Sequence, residues 1–417
     1  MATTRAITRR EWLIAAGALP LAAGIAGAGE ALPAAPPAAP RRLPDKASFA
    51  RMDVTWLDSG SRHPISLGAK AALDRYLAGR MQVPGATDHR LDSGRVIERF
   101  AKLINAEPSE IAFVPSTTAG EHLVVQALGL PEKRAHVVTD TLHFFGSFPL
   151  YGDLERAGVE VTWLRHDDEG RIPLDAIERA VRRGTRLVSL SLVSTVNGFE
   201  HDLAAVCEIA HAHGARVYAD IIHAAGCIPL DVKASGVDFA ACSSYKWLMA
   251  DFGLGFLYAR ADRLAELRRV RHGYYGIGRF STHVYPFDEP GEAIADYAYR
   301  EDARGMFATG TYAHTVLALL DHSLGYLLDV GVDNINAHAR TLTDRLKAEL
   351  PRLGYRLATP PESRAPMVAC WMENARRLAP RLEQANVAIS VGRNRFRASV
   401  SVFNDMEDVE RLLAALA

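Results

Sequence analysis

Short apolar, β-branched runs alternate with segments of helical periodicity between about Ala112 and Arg260. This alternation is typical of a mostly parallel β-sheet covered by helices, because successive parallel strands need a crossover connection, usually a helix. Seven runs are short enough to be buried strands: 111–114, 136–139, 160–164, 187–192, 216–221, 239–242 and 255–258. The sequence therefore predicts an α/β fold, in which ligands bind beyond the carboxyl ends of the strands.

The pattern changes after Gly310. Two long helical patterns, 314–330 and 332–350, precede short strand-like runs at 368–372 and 396–402, and a last helix is predicted from Asp405. These features indicate a smaller α+β domain at the carboxyl end of the chain. We therefore predict a large domain of residues 66–305, with residues 45–65 and 306–417 forming the small domain.

Charge and cysteine content exclude several classes of protein. The chain has 48 basic and 49 acidic side chains and a net charge of -1, so nothing indicates a nucleic-acid partner. Its four cysteines are Cys207, Cys227, Cys242 and Cys370, and no two form a CxxC pair. The sequence therefore predicts neither a disulfide framework nor a metal site, and we expect the cysteines to be small buried apolar residues.

The first 44 residues have the composition of a targeting signal and a linker rather than of a folded domain. Arg9 and Arg10 directly precede an apolar run rich in Ala and Gly, residues 13–28, which ends in small residues as a cleaved export signal does. The arginine pair resembles the twin-arginine signal, which exports folded proteins in bacteria. We predict a signal peptide at 1–28, a Pro/Ala linker at 29–44, the twin-arginine translocase as a partner and a periplasmic location.

Lys246 and Asp220 have surroundings that indicate chemistry. Each follows or ends a predicted strand, so both are expected at one edge of the sheet. Lys246 lies among Tyr245, Trp247 and Leu248, and desolvation by such neighbours lowers the pKa of a lysine and makes its amine nucleophilic. A carboxylate across the same pocket is the expected partner of a pyridinium nitrogen.

With these motifs the chain resembles the class V aminotransferases, the pyridoxal 5'-phosphate (PLP) enzymes that include cysteine desulfurases, isopenicillin N epimerase and kynureninase. The resemblance extends over about residues 57–416 and implies PLP fold type I. It implies that Lys246 carries the cofactor, that Asp220 binds the pyridine nitrogen and that His223 approaches the ring hydroxyl. Histidine at 223 is similar to the epimerase and kynureninase branches, because desulfurases have glutamine there.

The resemblance also implies a phosphate site. The segment 114–120, which contains Thr117 and Thr118, leads from a strand into a helix, whose amino terminus can hold a phosphate. The family adds the serine before the lysine, which matches Ser243. Thr311, in a Gly-Thr pair, matches a residue that reaches the phosphate of the neighbouring subunit, so the resemblance implies a homodimer.

For two contacts to the cofactor ring, the sequence offers two candidate residues each. The family places an aromatic side chain over the ring, and the matching segment offers His143 or Phe144, of which His143 is favoured. Relatives have an asparagine beside the ring hydroxyl, where this chain offers Thr195 or Asn197.

At the carboxyl end, the resemblance implies that Arg397 binds the substrate carboxylate, for which its planar guanidinium is suited. Desulfurases carry a cysteine that forms a persulfide in a loop before this arginine, but residues 389–397 contain none. Cys370 lies in an apolar run and is expected in the core. Sulfur transfer is therefore disfavoured.

These observations predict a PLP-dependent enzyme that acts at the α-carbon of an amino-acid or peptide substrate, as an epimerase, aminotransferase or lyase. Alternatives are a C–S lyase or cysteine-desulfurase-like enzyme and an exported binding protein without catalysis. A nicotinamide-binding Rossmann enzyme is excluded, because no Gly-x-Gly-x-x-Gly follows the first predicted strand.

Overall fold

The computed structural model describes residues 42–82, 91–132 and 134–417. The predicted signal peptide, residues 1–28, and all but the end of the predicted linker lie outside these residues. The described chain forms one compact unit. The domain boundaries given above therefore stay predictions.

The strands of the described chain include several two-residue pairings as well as longer runs. In chain order they are β1 (Thr55–Trp56), β2 (Ile111–Val114), β3 (His136–Asp140), β4 (Glu160–Leu164), β5 (Thr185–Ser191), β6 (Arg216–Asp220), β7 (Phe239–Ser243), β8 (Gly255–Ala259), β9 (Ile277–Thr282), β10 (Ala295–Tyr299), β11 (Arg356–Leu357), β12 (Met367–Trp371), β13 (Val387–Ala388), β14 (Ser390–Val391) and β15 (Arg395–Ser399).

The α-helices connect these strands or pack against them. In chain order they are α1 (Leu67–Met81), α2 (Ser93–Ile104), α3 (Thr117–Ala127), α4 (Phe148–Arg156), α5 (Leu174–Ala180), α6 (Leu203–Ala212), α7 (Val232–Ser235), α8 (Ala303–Phe307), α9 (His314–Val330), α10 (Val332–Arg352), α11 (Ala379–Gln384) and α12 (Met406–Leu416).

The central sheet has seven strands in the order β2-β8-β7-β6-β5-β3-β4. Only β8 runs against its neighbours, β2 and β7, and every other pair is parallel. Each strand lies within two residues of its predicted bounds. The prediction of an α/β fold with a mostly parallel sheet of seven strands is confirmed.

Helices cover both faces of this sheet. Successive residues of a strand point to opposite faces, and Val217 and Tyr218 of β6 accordingly belong to two different apolar clusters. Val217 shares one cluster with Val206 of α6, whereas Tyr218 shares the other with Leu123 of α3. A parallel sheet buried on both faces explains why its strands are apolar runs without polar alternation.

A second sheet, β11-β12-β15-β14, is antiparallel and packs against α10 and α12. The segment before α1 joins it, since β1 pairs with β13 and Asp58 forms a bridge with Ser399. This pairing places Gly60 and Ser61 beside β15. Helix α12 begins where Asp405 caps its first turn, as the sequence predicts.

No single helix of the described chain is long and apolar enough to span a membrane. Helices α9 and α10 meet that test of length and composition only as a pair, which is bent by 77° at their junction.

Candidate active site

Lys246 lies just past the carboxyl end of β7, where the sequence places it. Its side chain is buried, and its Nζ is 2.9 Å from Nε2 of His223. Burial, reinforced by the positive charge of Arg397, lowers the pKa of Lys246 to about 8. The lowered pKa makes the unprotonated, nucleophilic amine more abundant near neutral pH than it is for an exposed lysine.

His223 faces this amine in a defined tautomer. Burial and the charge of Lys246 hold the pKa of His223 well below its ordinary value, so the ring is neutral. The indole Nε1 of Trp247 donates to Nδ1 of His223 at 3.3 Å, and an indole N–H can only donate. Nδ1 is therefore the acceptor and the ring proton is on Nε2, where it can donate to the amine of Lys246 once that amine is unprotonated.

Asp220 is the last residue of β6 and is almost completely buried. One carboxylate oxygen accepts the backbone N–H of Ile222 at 2.9 Å. Burial raises the pKa of Asp220 to about 6, and no cation of the described chain lies within ion-pair distance of it. A buried carboxylate without a cation is suited to a ligand that brings its own positive charge.

The predicted phosphate loop joins β2 to α3. Oγ of Ser116 caps the helix by accepting the N–H of Ala119 at 3.1 Å, and the N–H of Thr117 donates to Oγ of Ser243 at 2.9 Å. Thr117 is buried and Thr118 is half-buried in the first turn. The structure thus brings the loop and Ser243 together at a helix amino terminus, which favours an anion.

These groups follow strands that end at one edge of the sheet, since β2, β6 and β7 run in the same direction. Their chemistry fits PLP: Lys246 offers an amine for the aldehyde, Asp220 a carboxylate for the pyridine nitrogen, and Thr117 with Ser243 a cradle for the phosphate. The described residues contain no cluster of metal ligands.

A cavity of about 490 Å³ opens beside Lys246, and Arg397 lines it too. Nη1 of Arg397 donates to the carbonyl and Oγ1 of Thr195 at 2.9 and 2.8 Å, and Nη2 donates to Oγ of Ser61 at 3.0 Å. The carboxylate of Asp58 is farther away, at 3.5 Å from Nη2. Lysine and arginine therefore face one space, as the sequence predicts for a cofactor anchor and a substrate-binding residue.

The candidates for the ring contacts are placed differently. Phe144 lines the cavity with Lys246, whereas His143 is completely buried and does not. Thr195 also lines the cavity, whereas the amide of Asn197 donates to the carbonyl of Gly170 and accepts the N–H of Phe199. The cavity therefore exposes Phe144 and Thr195, and the choice of His143 as ring-stacking residue stays a prediction.

Thr311 is not brought to this site. It is exposed, and its Oγ1 lies 3.3 Å from the hydroxyl of Tyr274. Another cavity, of about 470 Å³, lies between residues 46–56 and α12 and contains none of the predicted site residues.

Two charged residues of the site region, the buried Glu121 and the half-buried Arg395, are missing from the sequence-based prediction. Glu121 accepts from Nε2 of His143, and Arg395 lines the cavity beside Arg397. The sequence feature that could have identified Glu121 is weak: it is a single acidic residue in an otherwise apolar stretch of helix. The feature for Arg395 is clearer, because residues two apart on a strand point to the same face.

The fold and these residues together define a PLP enzyme of fold type I. The chain belongs to the family described as aminotransferase class V, whose model matches residues 93–412. The expected cofactor, PLP, and the prediction of an enzyme are confirmed, and the alternative of a binding protein without catalysis is set aside.

Named relatives span several reaction types. The chain is 29% identical to an uncharacterized aminotransferase, YcbU, of Bacillus subtilis, over 76% of this chain and 81% of the relative. It is 28% identical to a probable cysteine desulfurase of Methanothermobacter thermautotrophicus, over 71% and 72%. A structure of the cystine C-S lyase C-DES with cysteine persulfide superimposes with a TM-score of 0.76 at 20% identity, covering 87% of this chain and 97% of that one. That likeness shows the fold.

Proposed function

We propose that this enzyme breaks a bond at the α-carbon of an amino-acid or peptide substrate. The observation that carries the proposal is the position of a lysine with a lowered pKa and a buried arginine in one cavity, next to a carboxylate that has no cation. When bound, PLP supplies an electron sink for the electrons of the broken bond.

The protein's own residues then have separate tasks. Arg397 binds the α-carboxylate of the substrate and so fixes which bond of the α-carbon is aligned for cleavage. Asp220 holds the proton on the pyridine nitrogen. Lys246, once its amine is free, removes or returns the proton at the α-carbon, and the Nε2–H of His223 orients its lone pair.

The replacement Lys246→Ala tests this proposal. We expect the purified variant to lose the visible absorbance of the bound cofactor and all turnover of amino-acid substrates. Lys233→Ala removes an exposed lysine paired with Glu107 and is the matched control. Turnover by Lys246→Ala at the wild-type rate would overturn the proposal.

A C–S lyase or desulfurase-like reaction is the second candidate, and the names of the relatives favour it. A persulfide on this chain is disfavoured, because all four cysteines are buried and none lines the cavity. Residues 392–394 form only a short turn between β14 and β15, where a mobile cysteine loop would be needed. Elimination of sulfide from a substrate needs a base but no cysteine of the enzyme. Release of sulfide on incubation with L-cysteine would favour this second candidate, and its absence would favour another reaction at the α-carbon.

We further propose export by the twin-arginine route, which the arginine pair before an apolar run supports. Exchange of Arg9 and Arg10 for lysines should leave the protein in the cytoplasm in cell fractionation. Periplasmic enzyme in spite of this change would contradict the proposal.

We also propose a homodimer with shared active sites. It is supported by the exposed position of Thr311, which does not line the cavity of its own chain. Light scattering should give twice the monomer mass. A mixed dimer of Lys246→Ala and Thr311→Val chains should keep one intact site, and a monomeric active enzyme would contradict the proposal.

A further inference from the structure

The cavity contains a second guanidinium, that of Arg395. Arg395 and Arg397 are two residues apart on β15, so both point to the same face of the small sheet, and both line the cavity. Nη1 of Arg395 donates to the carbonyls of Thr195 and Val196, which holds the side chain in place. The site is therefore built around two fixed guanidinium groups.

No acidic side chain that lines the cavity balances this charge. The lining of the cavity contains Lys246, Arg395 and Arg397 but no aspartate or glutamate. No carboxylate of the described chain lies within ion-pair distance of Arg395, and only Asp58 approaches Arg397. Burial and the charge of Arg397 lower the pKa of Arg395 to about 10. Two neighbouring, partly desolvated guanidinium groups repel each other and are unfavourable unless anions pair with them.

We propose that the substrate is an amino acid with a second anionic group on its side chain. This inference rests on the proposed function: Arg397 binds the α-carboxylate, and Arg395 binds the distal anion through its planar fork. A carboxylate and a sulfinate or sulfonate share this chemistry. A neutral side chain would leave the guanidinium of Arg395 without an ionic partner in the cavity.

The cofactor phosphate does not account for Arg395. The predicted phosphate cradle is formed by Thr117 and Ser243, which follow strands of the large sheet and do not line the cavity. Arg395 instead lies opposite Trp371 on the small sheet, and both residues line the cavity. A substrate held by Arg397 would therefore have the guanidinium of Arg395 in the same cavity.

The test compares acidic amino acids with their neutral isosteres on the holoenzyme. L-aspartate, L-glutamate and L-cysteate are assayed against L-asparagine and L-glutamine, using turnover and the change in cofactor absorbance on binding. We expect Arg395→Gln to lower kcat/KM for the preferred acidic substrate by about 10- to 100-fold and for its amide by less than about threefold. Arg395→Lys should restore part of the preference, and Arg393→Gln, an exposed neighbour, is the matched control.

A binding measurement separates this inference from the proposed function. Succinate, but not its monoamide succinamate, should raise the Tm of the wild-type holoenzyme and of Arg393→Gln, and should lose this effect in Arg395→Gln. Equal effects of both compounds, or equal losses for acids and amides in Arg395→Gln, would overturn the inference. Failure of every amino acid to change the cofactor absorbance, with the succinate effect intact, would overturn the proposed function and leave Arg395 only as a residue that binds anions.

Discussion

Two polar regions near the sheet edge differ in charge balance. Glu121, on α3, accepts hydrogen bonds from Nε2 of His143, Oγ of Ser147, the hydroxyl of Tyr151 and Oγ of Ser189, at 2.5–3.0 Å. Every polar group of this Glu121 cluster has a partner within the protein. The cavity with Arg395 and Arg397 instead presents cations without lining carboxylates.

The Glu121 cluster supports the fold, whereas the cavity holds the candidate active site. Burial alone would raise the pKa of Glu121, but the charge and hydrogen bonds of His143, with the hydroxyl donors, lower it to about 2. Burial alone would lower the pKa of His143, but the charge and hydrogen bond of Glu121 outweigh the effect of burial and raise this pKa. The Glu121 cluster is therefore a closed ion pair that connects α3 to the strands, whereas the cations of the cavity have no carboxylate in its lining.

The largest expected effect comes from opening the closed cluster. Glu121→Leu leaves the ring of His143 and three hydroxyl groups buried without their shared acceptor. We expect the free energy of unfolding to fall by about 3–5 kcal/mol, because the ion pair is lost and several buried donors are left without an acceptor. Urea denaturation measures it, and Glu155→Leu, an exposed glutamate on α4, is the control. An equal, small loss in both variants would show that the cluster is not supporting the fold.

The same cluster predicts a dependence on pH. The pKa of Glu121 is about 2 in the folded protein and 4.5 ordinarily, so its stabilisation is complete above pH 4.5 and is lost as the pH falls towards 2. The difference in unfolding free energy between the wild type and Glu121→Leu should shrink over this range. A difference independent of pH would contradict the ion pair.

Removing a cation from the open cavity should act on binding more than on folding. Arg397→Gln is expected to raise KM for amino acids by about 10- to 100-fold, since a charge-assisted pair with the α-carboxylate is lost. It should also raise the pKa of Lys246 above about 8, because the charge of Arg397 contributes to lowering it. The pH dependence of cofactor binding to apoenzyme reports this shift. If neither KM nor the pH midpoint of cofactor binding changes, Arg397 does not belong to the site.

A smaller effect is expected at Gly60, which lines the cavity. A Cβ on Gly60 would lie 2.6 Å from Oγ of Ser399 and 3.2 Å from Nη2 of Arg397. Gly60→Ala should therefore displace the guanidinium and raise KM several-fold, with the pKa of Lys246 little changed. Gly152→Ala, where a Cβ has open space, is the control. An effect of equal size at both glycines would argue against a steric cause.

The smallest effect concerns the tautomer of His223. Trp247→Phe removes the donor to Nδ1, so the ring proton is no longer held on Nε2, at a cost of about 1 kcal/mol in stability. The nitrogen chemical shifts of His223, measured by NMR in wild type and variant, report the tautomer directly. Wild-type shifts in the variant would contradict the role of Trp247.

The strands that carry the site could be predicted accurately from the sequence, because burial in a parallel sheet requires short, continuous apolar runs. Asp220, Ser243 and Lys246 could be placed at the sheet edge from the ends of β6 and β7 alone. Phe144 and His143 could not be separated, because adjacent residues in a turn leave no period that shows which one faces the cavity.

The sequence by itself determined the sheet, the family, the cofactor and the order of the residues that serve it. Only the tertiary structure decided that Arg395 joins Arg397 without a lining carboxylate, that Trp247 fixes the tautomer of His223, and that Glu121 is paired. These facts depend on partners far apart in the chain or on side-chain direction. Hydrophobic periodicity records how each residue meets the core, whereas charge balance is a property of the residues that meet in space.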